Sequence, residues 1–181
     1  ATPMNDIRQI VERLGLTGER EAALHVTLLR ELALGQPVTI ERLAKIGYGI
    51  TLRETPHAFV VNDQPLYTWC ALDALMFPTV IDERAQVQSR CPHTNKPVTL
   101  TVTPQGVLLL QPEDAVLSLV SVAAEGDIRS AFCCDVFFFA SRQAGEAWCR
   151  DKPHAHIVSV QEGFELGQQI AHLILDRARS H

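Results

Sequence analysis

The stretch from Leu66 to Phe77 constrains this chain most. It is apolar almost all round, and Pro78 follows it. A helix of that kind has to be buried, so the pattern predicts a core helix over 66–77 that stops at Pro78. One carboxylate, Asp73, falls inside it, and a buried carboxylate must find a partner or keep its proton. The thiol of Cys70 lies three residues earlier, on the same helical face. Free cysteine is among the most buried residue types. On the residues alone, the plain reading is therefore a core-filling thiol, with an aspartate that caps or salt-bridges a neighbour.

Around this stretch the pattern is mixed. Ile7, Ile10, Val11 and Leu14 recur at helical spacing up to Gly15. A second helix is expected from a Thr17 cap, through Leu24, Leu28, Leu29 and Leu32, to a stop at Gly35. Pro37-Val38-Thr39 leads into a short third helix over 40–44. Three short helices with this entry suggest a winged-helix-like unit over residues 1–46. A DNA-reading unit needs a further recognition helix, and none follows Lys45 before the strand-like run 47–52.

Strands are expected over 58–61, 87–90, 98–103, 107–110, 116–120, 132–140 and 156–160. Asn62-Asp63-Gln64-Pro65 reads as a turn. Ser141 can cap a short helix through Trp148, and a last helix is expected over 163–179. The fold class is α+β: a small helical unit, then a mixed β-sheet core with flanking helices over 47–181.

The chain has 181 residues, 46% hydrophobic and 20% charged, which is enough apolar material for one well-buried core. Its net charge of −5 disfavours nucleic-acid binding by bulk charge. Residues 1–55 hold seven basic and seven acidic side chains, so the helical unit is no basic arm. No apolar run reaches membrane-span length, and no charged-then-apolar signal opens the sequence. A cytoplasmic, reducing location is the expectation, with the five cysteines as thiols.

Those cysteines are Cys70, Cys91, Cys133, Cys134 and Cys149. None forms a C-x-x-C pair, so a zinc ribbon or a thioredoxin-type site is unsupported. Cys133 and Cys134 are neighbours on a strand, and only one of them can face a given site. Cys91 with His93 supplies two ligands, too few for a metal centre. His154 and His156, with Asp151 nearby, form a weak candidate metal group at a strand entry.

Three separated motifs together resemble a known family. They are Gly47-Tyr48-Gly49-Ile50-Thr51-Leu52-Arg53-Glu54-Thr55, then Leu66-Tyr67-Thr68-Trp69-Cys70-Ala71-Leu72-Asp73, then Phe132-Cys133-Cys134 with Phe138-Phe139-Ala140-Ser141. In this order they are similar to the organomercurial (alkylmercury) lyases of bacterial mercury resistance. The likeness continues through Ile157–Val160 and Phe164–Gln168. It implies a catalytic trio of Cys70, Asp73 and Cys133, which are also the residues that touch mercury. It implies a structural Cys91 and a non-essential Cys134, and it gives Cys149 no role.

The resemblance further implies no resident cofactor, since mercury is substrate and product. The implied partners are an organomercurial, low-molecular-weight thiols and a mercuric reductase that accepts Hg(II). Neither nucleic acid nor membrane is among them. Two other functions use the same features: a thiol-based metal-delivery protein of the same fold without lyase activity, and a winged-helix regulator with a ligand-sensing domain. One departure stands out. The family carries a further stretch between the helix at Leu43 and the strand at Tyr48, and this chain lacks it.

Overall fold

A computed structural model describes residues 18–39, 50–120 and 135–179. The expected helices over 7–14 and 40–44 lie outside the described residues, so of the winged-helix-like unit over 1–46 only residues 18–39 are described. The boundary at 46/47, Cys133 and Cys134 also lie outside the described residues.

Helix α1, Glu19–Ala33, buries Ala22, Val26, Leu29 and Ala33, which recur at helical spacing. Its C-cap is Leu34, and Gly35 follows with φ +75, the left-handed step that commonly ends a helix. Six strands then form one sheet: β1 (Ile50–Thr51), β2 (His57–Val61), β3 (Gln64–Thr68), β4 (Ala85–Arg90), β5 (Pro97–Thr103) and β6 (Gly106–Gln111). Their order is β1-β3-β2-β4-β5-β6. A second sheet is ordered β8-β7-β9, from β7 (Val116–Val120), β8 (Phe138–Phe139) and β9 (Ala155–Ser159). The other helices among the described residues are α2 (Ala71–Ile81), α3 (Arg142–Cys149) and α4 (Val160–Arg179).

The α+β class is as expected, but every described strand pair is antiparallel rather than mixed. The connections explain this. Parallel neighbours need a long crossover, whereas β2–β3, β4–β5 and β5–β6 are joined by short turns. The helical connection α2 joins β3 to β4, and β2 lies between those two strands.

The predicted core helix over 66–77 divides in two. Its first part is strand β3, paired with β2 from Val61↔Gln64 to His57↔Thr68. Asn62 and Asp63 both have positive φ, 50 and 61, which matches the tight two-residue hairpin turn that twists with its strands. Its second part is α2, which begins after Cys70 and runs past Pro78 to Ile81. Pro78 lies in the last turn, where its missing N–H removes one helical bond and does not end the helix. The end comes at Asp82, in left-handed conformation with φ 57.

Every residue of α2 is buried. Burial of side chains such as Leu75 and Phe77 contributes roughly 1.5–3 kcal/mol each. Helix α4 lies against α2 at Gly167, where an added Cβ would meet the Met76 backbone at 3.3 Å. Gln168 fastens the contact, donating to the Thr79 hydroxyl at 2.9 Å and to the Pro104 carbonyl at 2.6 Å. The expected strand over 132–140 is represented among the described residues by Phe138–Phe139 alone. Val160, expected to end the last strand, begins α4.

Candidate active site at the start of helix α2

Cys70 is the N-cap of α2, with extended backbone (φ −147, ψ 172), rather than an interior helix residue. Two bonds hold its carbonyl. The Thr68 hydroxyl donates to it at 3.1 Å, and the Ala74 N–H at 3.4 Å. The Cys70 side chain is fully buried. Its thiol sits where the positive end of the helix dipole favours negative charge.

Asp73 is the third residue of the helix. From there its carboxylate reaches back over the first turn, as an acidic residue does in a capping box. It accepts hydrogen bonds from the Cys70 thiol and from the backbone N–H groups of Cys70 and Trp69. Its side chain is only 5% exposed. Burial raises the carboxyl to about 7, and the three hydrogen bonds only partly oppose that rise. Oδ2 is buried with no hydrogen-bond partner among the described residues. The spacing expected from the sequence thus brings Cys70 and Asp73 into direct contact, with a group beside the thiol that can take or give a proton near neutral pH.

Cys133 lies outside the described residues, but the chain shortly after it returns to this site. The N–H of Ala71, the residue after Cys70, donates to the Val136 carbonyl at 3.1 Å.

The other described cysteines have different surroundings. Cys91 is buried at the end of β4. Its loop closes through Cys91 N–H to the Lys96 carbonyl and Asn95 N–H to the Cys91 carbonyl, both 2.8 Å. Burial raises its thiol pKa, but hydrogen bonds from the Thr94 hydroxyl and the Ala140, Thr94 and His93 amides outweigh this and bring it below the ordinary thiol range. Cys149 ends α3 half-buried, and its thiol is raised, chiefly by burial.

The weak metal group over 151–156 does not assemble. His154 Nε2 pairs with Asp135 Oδ2 at 2.8 Å, while Asp151 pairs with Lys152 at 3.4 Å. Among the described residues no cluster of three or more His, Cys, Asp and Glu side chains could hold a metal. None of the described helices is long and apolar enough to cross a membrane.

One buried polar pair near the site was not anticipated. His57 Nδ1 and Ser89 Oγ lie 2.9 Å apart, and burial lowers His57 to about 4. The His57 ring faces Phe137 and Phe138 at 6.1 and 6.2 Å. The signal available in the sequence was alternation, which turns His57 inward on β2 and Ser89 inward on β4.

Known proteins agree with this architecture. A family model described as alkylmercury lyase (MerB) matches residues 50–172. An alkylmercury lyase of Pseudomonas putida is 42% identical, covering 93% of each chain. An alkylmercury lyase of Streptomyces lividans is 38% identical over 82% of this chain and 81% of its own. The crystal structure of the mercury-bound form of MerB2 superposes with a TM-score of 0.73 over 94% of this chain and 99% of that one. At 18% identity it bears on the fold. The chain therefore belongs to the alkylmercury lyase family, whose known activity is cleavage of the carbon–mercury bond.

Proposed function

We propose that Cys70, Asp73 and Cys133 carry the family's reaction in this chain, by protonolysis of an organomercurial R–Hg(II). The observation that carries the reading is the buried Asp73 carboxyl, hydrogen-bonded to the Cys70 thiol and raised to about 7. Mercury(II) is a soft ion and prefers thiolate sulfur. Cys70 binds R–Hg⁺ as its thiolate, and Asp73 takes the thiol proton. Cys133 adds as a second thiolate, its proton passing to solvent, and pushes electron density onto the carbon. Protonated Asp73 then delivers its proton to that carbon. The C–Hg electron pair becomes the new C–H bond, R–H leaves, and Hg(II) stays on two thiolates. R–Hg⁺ and two thiols thus give R–H, a mercury dithiolate and one proton. Mercury keeps its oxidation state, so no redox cofactor is required.

Release of Hg(II) follows by ligand exchange with free thiols, and a mercuric reductase is the proposed acceptor. A cytoplasmic location supplies those thiols. Trp69, next to Cys70, packs on the apolar core and suits a hydrophobic organic group.

The test is benzene release from phenylmercury with excess free thiol. Repeated turnover is expected, and it is lost in Cys70→Ala, Cys133→Ala and Asp73→Ala. Full activity in Cys133→Ala would sink the assignment. Stoichiometric mercury capture without benzene would identify a binding or delivery protein instead.

A further inference from the structure

We propose that Ser118 is a positioning residue for the two-thiol chemistry. It clamps residues 135–137 against the first turn of α2, and so sets how the segment following Cys133 approaches Cys70. The proposal rests on the reading of Cys133 given above.

Ser118 sits mid-way along β7 and is fully buried. Its N–H donates to the Phe137 carbonyl at 3.0 Å. Its hydroxyl donates to the Asp135 carbonyl at 2.6 Å and accepts from the Phe137 N–H at 3.0 Å. On the other side, the Ala71 N–H donates to the Val136 carbonyl at 3.1 Å. Four hydrogen bonds therefore hold three consecutive residues between the centre of β7 and the residue that follows Cys70.

A regular strand does not need such a device. Here the β7–β8 ladder covers only Val116↔Phe139 and Leu117↔Phe138. The Ser118 N–H to Phe137 carbonyl bond continues that register by one residue, and before Phe137 the chain leaves the ladder to reach α2. The part-buried Asp135 carbonyl and Phe137 N–H would then lack protein partners, and the Ser118 hydroxyl satisfies both. A serine can do this because one hydroxyl both donates and accepts. The neighbouring β7 residues, Leu117 and Leu119, cannot. The bracket has its value in the reaction: both thiolates must reach one mercury, and a misplacement of about 1 Å can cost on the order of a hundredfold in rate.

The test compares Ser118→Ala, Ser118→Thr and Ala71→Pro with the parent chain. Proline suits the first helical position, and the extended Cys70 before it tolerates one, so Ala71→Pro removes the bond to Val136 while keeping the helix. Three quantities are read: the single-turnover rate of benzene release, the number of sulfur ligands on bound Hg(II) by X-ray absorption, and the alkylation rate of Cys70. In Ser118→Ala the rate falls on the order of a hundredfold and coordination drops from two sulfurs towards one, while Cys70 alkylates as in the parent. Ser118→Thr, which keeps the hydroxyl, restores both. If Ser118→Ala does not fold, Ala71→Pro decides by the same readouts. Parent-like rate and two-sulfur coordination in the folded variants would overturn the proposal. Cys133→Ala runs beside them. Full activity there sinks the reading of Cys133 itself, whereas its inactivity together with an active Ser118→Ala sinks only the bracket.

Discussion

Cys70 and Cys91 are both buried cysteines at the ends of secondary-structure elements, and the carbonyl of each accepts a backbone hydrogen bond. They differ in what stands beside the sulfur. Around Cys91 are donors only: a hydroxyl and three backbone amides, which hold it in place at the junction of β4 with the residue after β8. Cys70 has a carboxyl that burial raises to about 7, with one oxygen unpartnered among the described residues. A ring of donors fixes a sulfur. A proton-exchanging neighbour lets it react. On the proposed assignment, burial alone does not separate a structural cysteine from a working one, and the protonation chemistry of the neighbour is what distinguishes them.

That contrast can be broken at several points. The largest effect is expected from Cys70→Ala, which should leave no measurable benzene release from phenylmercury. Next comes pH. For enzyme already loaded with phenylmercury, carbon protonation needs the acid form of Asp73. The rate should then fall as pH rises through about 7, approaching tenfold per unit, as measured by rapid quench.

The same raised carboxyl has an opposite face in stability. The folded state keeps the Asp73 proton that the unfolded chain gives up near 3.8. Its contribution is thus fully present below that value and is lost as pH rises through about 7. Asp73→Asn should accordingly gain up to about 4 kcal/mol on the parent between pH 4 and 8, read by urea unfolding across that range.

Cys91→Ala should give the mirror image of Cys70→Ala: a loss of roughly 1–3 kcal/mol in stability, with kcat of the folded fraction unchanged. A kcat collapse in folded Cys91→Ala would erase the distinction. The smallest effect belongs to Cys149→Ala, whose half-buried position at the end of α3 predicts parent-like turnover and unfolding midpoint.

The sequence reached the pairing of Cys70 with Asp73 because a three-residue spacing survives a shift in helix boundary. Asp73 faces Cys70 whether that residue is interior or N-cap. The boundary itself was hidden. Leu66 and Thr68 point inward on β3 by alternation, but the apolar residues of α2 follow at once, so the two periods merge into one apolar run. The usual punctuation was also missing, because the N-cap is a cysteine rather than Ser, Thr, Asp or Asn.

Residues 135–137 were opaque for another reason. The aromatic-rich run over 132–140 reads as one strand that includes Phe138–Phe139, but the hydrogen bonds of residues 135–137 go to Ser118 and Ala71, which are distant in sequence. Tertiary contacts of that kind leave no local pattern. The strands β4, β5 and β7 were readable within about two residues, because alternation or a continuous apolar run marks them directly.

The most direct test of the account is single-turnover benzene release from phenylmercury by Asp73→Asn, at pH 6 and pH 8. The amide keeps the shape of the carboxyl but can neither take the thiol proton nor return it to carbon. The account predicts that the variant still captures the organomercurial. It also predicts that benzene release slows by roughly 10²–10⁴-fold and loses its dependence on a group near 7. Release at the parent rate, with the parent pH profile, would contradict it.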